Sequence, residues 1–198
     1  MKFDLSKKQH WLLLVIFFII SFLISKILSE LITIKNVFLE IPGFFGVFSF
    51  LLWVFDNHIW KWKIFRFFKI IEFPDLSGEY KGSFESSYKK DRKNVTGSAK
   101  LVIKQTASNI TIQGVFNESQ SISVHSFFAF NDLEQKNCLY YFYKNKPAVN
   151  AVETMNQHEG VAILCFDENT KILNGEYYSS RDRNNYGVIE VKLINQKN

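Results

Sequence analysis

Two apolar stretches near the amino end, residues 11–27 and 37–55, constrain this chain more than any other feature. A helix needs roughly 20 apolar residues to cross about 30 Å of hydrocarbon at about 1.5 Å per residue. Both stretches are close to that length, so the sequence predicts two N-terminal transmembrane α-helices. A cleaved signal peptide is the alternative for the first stretch. However, its apolar run is long, and Ser29, Glu30 and Leu31 lack the usual small-x-small cleavage pattern.

Charged residues that flank the stretches predict their orientation. The connector between them carries only Lys35 against Glu30, whereas cations precede the first stretch and follow the second. Positive residues stay on the cytoplasmic side, so both termini are expected in the cytoplasm. The flanking cations are Lys2, Lys7, Lys8, Lys61, Lys63, Arg66 and Lys69. They account for the excess of 24 Lys and Arg over 19 Asp and Glu, so the charge does not predict a DNA or RNA polymer as partner.

Three small residues, Gly43, Gly46 and Ser49, recur at a spacing of three in the second stretch. On a helix they form a stripe against which another helix can pack closely. The stripe predicts either packing within the hairpin of the two spans or assembly between protomers. Cations alternate with aromatic residues at 59–71, which favours an interfacial extension of the second helix. Residues 1–73 are therefore expected to form a membrane hairpin with a basic, aromatic juxtamembrane segment.

From residue 74 onward the sequence changes to short alternating runs rich in Val, Ile, Tyr, Phe and Thr, separated by Gly, Asn and Asp. Residues 74–198 are thus predicted to form an all-β domain. Its eight expected strands are 78–88, 97–106, 109–116, 122–131, 138–144, 160–167, 172–181 and 186–194. Short connections favour antiparallel neighbours, and closure removes unpaired edges, so we expect an eight-stranded up-and-down β-barrel, lipocalin-like. A β-sandwich is the alternative.

The period of two along each strand assigns side chains to the inside of this barrel. Tyr80 and Tyr177 are expected to point inward, and Arg181 shares the face of Tyr177. Tyr141 is expected inward from the fifth strand. In the fourth strand, the pattern assigns Val124, Ser126 and Phe128 to the interior.

Catalytic motifs are not recognisable in the sequence: it has no HExxH, phosphate loop or nucleophile elbow. His125 and His158 have no evident nucleophile or metal partner, so both are interpreted as structural. Cys138 and Cys165 have no metal-ligand spacing and are expected to be reduced and packed in a cytosolic domain. We therefore predict a protein that is not an enzyme and needs no metal or cofactor.

The order of these segments, together with the motif LSGEYKG at 76–82 and its echo LNGEYYSSRDR at 173–183, resembles one known family. That family comprises the two-transmembrane, β-strand-rich effectors of bacterial CBASS (cyclic-oligonucleotide-based antiphage signalling) systems. The resemblance implies a cytosolic barrel that binds a cyclic dinucleotide during phage infection. It further implies a ligand-induced homo-oligomer that disrupts the lipid bilayer of the inner membrane and causes abortive infection.

Ligand-binding candidates are chosen on chemical grounds: Arg181, Arg183, Tyr178, Tyr141 and Ser126. An arginine fork suits phosphate, tyrosines can stack on a base, and a serine hydroxyl can hydrogen-bond. Tyr178 faces opposite to Arg181 in a regular strand, so its role needs a bulge or a rim site. Alternatively, Arg181 lies in a solvated turn, paired with Asp182. The alternative function is a membrane-tethered lipocalin-like barrel that binds a lipid or another apolar ligand.

Overall fold

The computed structural model describes residues 7–31, 37–90, 92–117, 119–131, 133–148, 157–180 and 184–196. The chain divides into two compact units. One comprises Met1–Glu72 with Thr106–Ser108, and the other Phe73–Gln105 with Asn109–Asn198. The first unit is mostly helical and the second contains the β-strands.

Two long helices dominate the helical unit. Its elements are α1 (Lys8–Leu31), α2 (Val37–Asn57), a 3-10 turn (Ile59–Lys61) and the short α3 (Lys63–Phe67). Aromatic side chains join α1 to α2: the ring centroids of Phe17 and Phe55 lie 5.6 Å apart, and those of Phe18 and Phe44 lie 4.9 Å apart. Both pairs meet edge to face, an arrangement that aromatic quadrupoles favour.

By length and composition α1 can cross a membrane, whereas the apolar part of α2, Gly43–Asn57, is shorter. The first predicted span is therefore matched by a suitable helix, and the second stays a prediction. The predicted extension of the second helix is wrong. The backbone of Trp62 is extended, with a ψ of 138°, and this breaks the helix between the 3-10 turn and α3.

Eight antiparallel strands form a closed barrel in sequence order, with β8 paired to β1. The strands are β1 (Gly78–Lys90), β2 (Lys93–Gln105), β3 (Ile110–Phe116), β4 (Ser119–Asn131), β5 (Lys136–Pro147), β6 (His158–Asp167), β7 (Ile172–Ser179) and β8 (Tyr186–Asn195). The predicted eight-stranded up-and-down barrel is confirmed. The β-sandwich alternative is excluded because the sheet closes on itself.

Apolar side chains fill one end of the barrel. Tyr80 on β1, Leu101 on β2 and Leu164 on β6 are fully buried there. The buried cluster also contains Leu76, Ile103, Ile110, Ile112, Leu139, Phe166, Leu173, Ile189 and Val191. Burial of this apolar surface is the main force that holds the closed sheet together.

Two expectations about the strands are corrected. The pairing of β4 with β5 shifts between Ser123 and His125, and this bulge leaves Val124 62% exposed rather than inside. Cys138 and Cys165 are buried as expected, but they form a disulfide instead of remaining reduced. They do so because the register of β5 and β6 places the two cysteines directly opposite each other.

Candidate ligand-binding site

A cavity of about 300 Å³ occupies the barrel end away from Leu76 and Ile103 and adjoins the apolar cluster, with which it shares Tyr141, Tyr143 and Ile189. Its volume is at the lower end of the range typical of small-molecule sites, roughly 300–1,000 Å³. It is lined by Phe84, Ser86, Tyr88, Val95, Phe116, Asn117, Ser119, Ser121, Tyr141, Tyr143, Asn145, His158, Tyr177, Ser179, Asn185 and Ile189. All eight strands or their ends therefore contribute to this cavity.

One wall of the cavity can form hydrogen bonds. Alternation along β4 turns Ser119 and Ser121 inward, and alternation along β5 does the same for Tyr141, Tyr143 and Asn145. These five side chains are buried in the described structure. The strands therefore bring hydroxyl and amide groups to the end of a barrel whose other end is apolar.

Several apolar side chains line the part of the cavity formed by β1, β2, β3 and β8, together with Ser86 and Tyr88 of β1. Phe84 on β1 and Phe116 on β3 meet edge to face, with ring centroids 5.4 Å apart. Val95 and Ile189 also line the cavity. In an eight-stranded barrel β1 lies across from β5, so the Phe84 ring faces the hydrogen-bonding wall, whereas Phe116 pairs with Ser119 and lies beside that wall.

Glycine at position 160 makes room for a tyrosine at the cavity. Tyr143 and Gly160 are directly paired across β5 and β6. A Cβ at position 160 would collide with the Tyr143 ring and its hydroxyl. His158, two residues earlier on β6, meets the Tyr143 ring edge-on at 6.4 Å.

Among the described residues that line the cavity there is no Lys, Arg, Asp or Glu. Burial, with a smaller contribution from Tyr143, raises the pKa of Tyr141 above its ordinary value. The Tyr141 hydroxyl is therefore neutral and can donate a hydrogen bond at physiological pH. The cavity suits uncharged chemical groups.

The structure separates the five predicted ligand residues. Tyr141 lines the cavity. Ser126 donates its hydroxyl to the carbonyl of Ile110, away from the cavity. Tyr178 donates to Glu176 and lies in an open groove on the outer surface of the barrel. Arg181 and Arg183 lie outside the described residues.

Sequence reasoning missed several cavity residues. His158 was interpreted as a structural loop residue, although it begins β6 and lines the cavity. Ser119 and Ser121 precede the predicted start of the fourth strand. One available signal was the run of small polar residues at alternate positions 119, 121 and 123, where a strand of the core would carry apolar side chains.

The barrel and its enclosed cavity define a small ligand-binding β-barrel. The family model described as Cap15, cyclic dinucleotide receptor domain, matches residues 71–193, which is more than half of the chain. The chain belongs to this family. It is also 27% identical over 128 residues to CD-NTase-associated protein 15 of Staphylococcus schleiferi, covering 65% of this chain and 65% of that relative. These matches confirm the resemblance to CBASS effectors.

Proposed function

We propose that the barrel is a receptor for a cyclic dinucleotide, which binds at the cavity end. The observation that carries this proposal is the match of residues 71–193 to a cyclic dinucleotide receptor family, in a barrel that encloses a suitable cavity. Tyr141 is the predicted ligand residue that lines this cavity. Ser126 and Tyr178 lie elsewhere and are not included in the proposed site.

The phosphates of the ligand would be bound by Arg181 and Arg183. This part of the proposal comes from the sequence: both arginines fall between Ser179 and Asn185, which line the cavity. Guanidinium groups bind phosphate through paired, charge-assisted hydrogen bonds. Their number equals the number of phosphates in a cyclic dinucleotide.

At the level of the whole chain, the proposed function is that of a membrane-embedded antiphage effector. Ligand binding would favour a homo-oligomer of this protein, which then disrupts the inner membrane and causes abortive infection. The support is the family membership and the apolar surface of α1, where Leu12, Phe18, Phe22 and Leu23 are more than half exposed. Such side chains are suited to contact with lipid.

Titration of the full chain in detergent micelles with cyclic dinucleotides tests receptor function. Bound phosphates predict an affinity that falls as salt concentration rises. The matched linear dinucleotides and an apolar fluorescent ligand are the controls. Salt-sensitive binding of a cyclic dinucleotide supports the proposal. Binding of the apolar ligand alone contradicts it and favours the lipocalin-like carrier, for which the Phe84–Phe116 wall is the specific support.

The proposed topology, two spans with both termini in the cytoplasm, needs a separate test. Disulfides are rare in reducing compartments, so the Cys138–Cys165 bond argues against a cytosolic barrel.

Cysteine labelling can test this topology. Single cysteines introduced near residues 4 and 198, in a chain with both native cysteines replaced by Ser, can be labelled with a membrane-impermeant maleimide. Labelling only after permeabilisation supports the topology. Labelling of either terminus in intact cells contradicts it.

A further inference from the structure

We propose that the group that enters the cavity is an uncharged nucleobase, and that the hydroxyls of Tyr141 and Ser121 recognise its hydrogen-bonding edge. This inference rests on the proposed receptor function and specifies which part of the ligand the cavity selects. It assigns base discrimination to two side chains on neighbouring strands, β5 and β4.

The described lining of the cavity suits a neutral base better than a phosphate. None of its described lining residues is Lys or Arg. Moving an unpaired anion from water into a cavity without a cationic partner costs far more than moving a neutral polar group. A base can enter such a site, whereas a phosphate remains outside it.

Unsatisfied hydroxyls mark the places where a ligand can hydrogen-bond. The Tyr141 side chain is only 2% exposed, and no described residue forms a hydrogen bond with its hydroxyl. Ser121 is 8% exposed and likewise has no such partner within the described part of the chain. Neither hydroxyl is among the described side-chain atoms that are buried without a partner, so both are accessible from the cavity, where a ligand group can replace water as their hydrogen-bond partner.

Aromatic side chains in the cavity provide a stacking surface for the base. The Phe84 ring, on β1, lies across the barrel from β5, and the Phe116 ring on β3 contacts it edge to face, so both rings present apolar surface to a planar ligand. Stacking on aromatic rings tolerates every base, because each base has a π-face. Discrimination between bases therefore depends on the hydroxyl groups of the polar wall.

Two variants of the full chain in detergent test this inference. Tyr141→Phe removes one hydroxyl and keeps the ring, and Ser121→Ala removes the other. The matched control is Tyr140→Phe, since the Tyr140 side chain is on the outer face of the same strand, stacked on Phe127 with centroids 5.2 Å apart. Thermal unfolding of every variant checks that the barrel is intact.

Affinities are measured for the four symmetric cyclic dinucleotides, which share one backbone and differ only in the base. We expect Tyr141→Phe and Ser121→Ala each to weaken binding of the preferred ligand by about two- to tenfold. The difference in affinity between the preferred ligand and the other three should become smaller. The slope of affinity against salt concentration should stay that of the parent, and Tyr140→Phe should bind like the parent.

Other outcomes overturn the inference. Parental affinity and base preference in both variants would show that the hydroxyls do not read the base, while the receptor function itself would stand. An equal loss for all four ligands with a shallower salt dependence would place phosphate at these side chains instead. If the parent binds none of the four ligands, the receptor function fails and this inference fails with it.

Discussion

Gln105, the last residue of β2, stabilises the start of β1 through a single buried amide. Its Oε1 accepts a hydrogen bond from the backbone N–H of Leu76 at 2.7 Å, and its Nε2 donates to the carbonyl of Pro74 at 3.1 Å. Pro74 and Leu76 lie just before β1, where neighbouring strands do not satisfy their backbone groups. The Gln105 side chain thus supplies the hydrogen bonds that a paired strand would otherwise give to these two backbone groups.

Replacing this residue, Gln105→Leu, should lower the free energy of unfolding by about 2–4 kcal/mol, because two buried backbone groups lose their partners. Denaturant unfolding of the full chain in detergent measures the change. Gln113→Leu is the control, since Gln113 is exposed on β3. Equal losses in the two variants would contradict this account of Gln105.

A single carboxylate organises the turn between β6 and β7. Asp167 Oδ1 accepts hydrogen bonds from the backbone N–H groups of Asn169 at 2.8 Å and Thr170 at 3.2 Å. The bonds from Thr170 and then Asn169 lower the pKa of Asp167 below its ordinary value. The ionised form therefore stabilises the fold above the unfolded pKa, and this contribution is lost as the pH falls through the lowered folded pKa.

The variant Asp167→Asn keeps an acceptor oxygen but cannot ionise. Its melting temperature should lie below that of the parent at pH 7. The two should begin to converge as the pH falls below the ordinary carboxyl pKa of about 4, and should meet once the pH has fallen through the lowered pKa of folded Asp167. Glu168→Gln, in the same exposed turn, controls for the general effect of removing one negative charge. A difference that stays constant down to pH 3 would show that ionisation of Asp167 does not contribute.

At the scale of elements, the sequence predicts the strands far better than it predicts where their side chains point. β3 was predicted to within one residue, because alternating Ile, Thr and Gly between turn residues has one interpretation. β4 was not. A bulge at Val124 leaves no mark in the hydrophobic pattern, since it depends on pairing with β5. The extra residue reverses the alternation, so Ser121 and Ser126 both point inward.

Closure of the barrel depends on the pairing of β1 with β8. Gly82 lies opposite Val191 in that pair. A Cβ at Gly82 would collide with the backbone carbonyl of Glu190 and lie 2.8 Å from the Cα of Val191. Backbone atoms cannot rotate away as a side chain can, so any larger residue must separate the two strands.

We expect Gly82→Ala to destabilise the barrel by about 1–3 kcal/mol, the usual cost of overpacking. Ser83→Ala is the matched control, because Ser83 is the exposed neighbour on the same strand. Thermal unfolding of both full-length variants provides the comparison. Gly82→Ala with the melting temperature of the parent would show that β1 and β8 can accommodate a side chain at this position.

At the scale of the whole molecule, the sequence predicts the segments but only part of the candidate site. Tyr141 could be found because alternation alone assigns it to the interior. The neutral, polar character of the cavity could not be found, since it depends on β4, β5 and β6 meeting at one end in the observed register. Long-range pairing of this kind leaves no signal within any single strand.

Proposed assembly in the membrane depends on the small residues of α2. An added Cβ at Gly43 or Gly46 meets no atom within 4 Å, and Ser49 is exposed. In a single chain this stripe therefore has no packing partner among the described residues. The hypothesis of packing within the hairpin thus has no support at these two glycines, and contact between protomers stays a proposal.

The double variant Gly43→Leu/Gly46→Leu should keep parental affinity for the cyclic dinucleotide, because none of the described residues that line the cavity belongs to α2. It should permeabilise membranes less, since leucine prevents close approach of the helices of two protomers. Ligand can drive assembly only if it binds the assembled state more tightly than the single chain. Dye entry into cells that also express a cognate cyclase measures the effect, with Phe45→Leu as control on an exposed neighbour in the same helix. If the double variant inserts normally and dye entry equals that of the parent, the small residues of α2 have no role in the assembly. An unchanged mass of the detergent-solubilised parent on ligand addition would refute ligand-driven assembly itself.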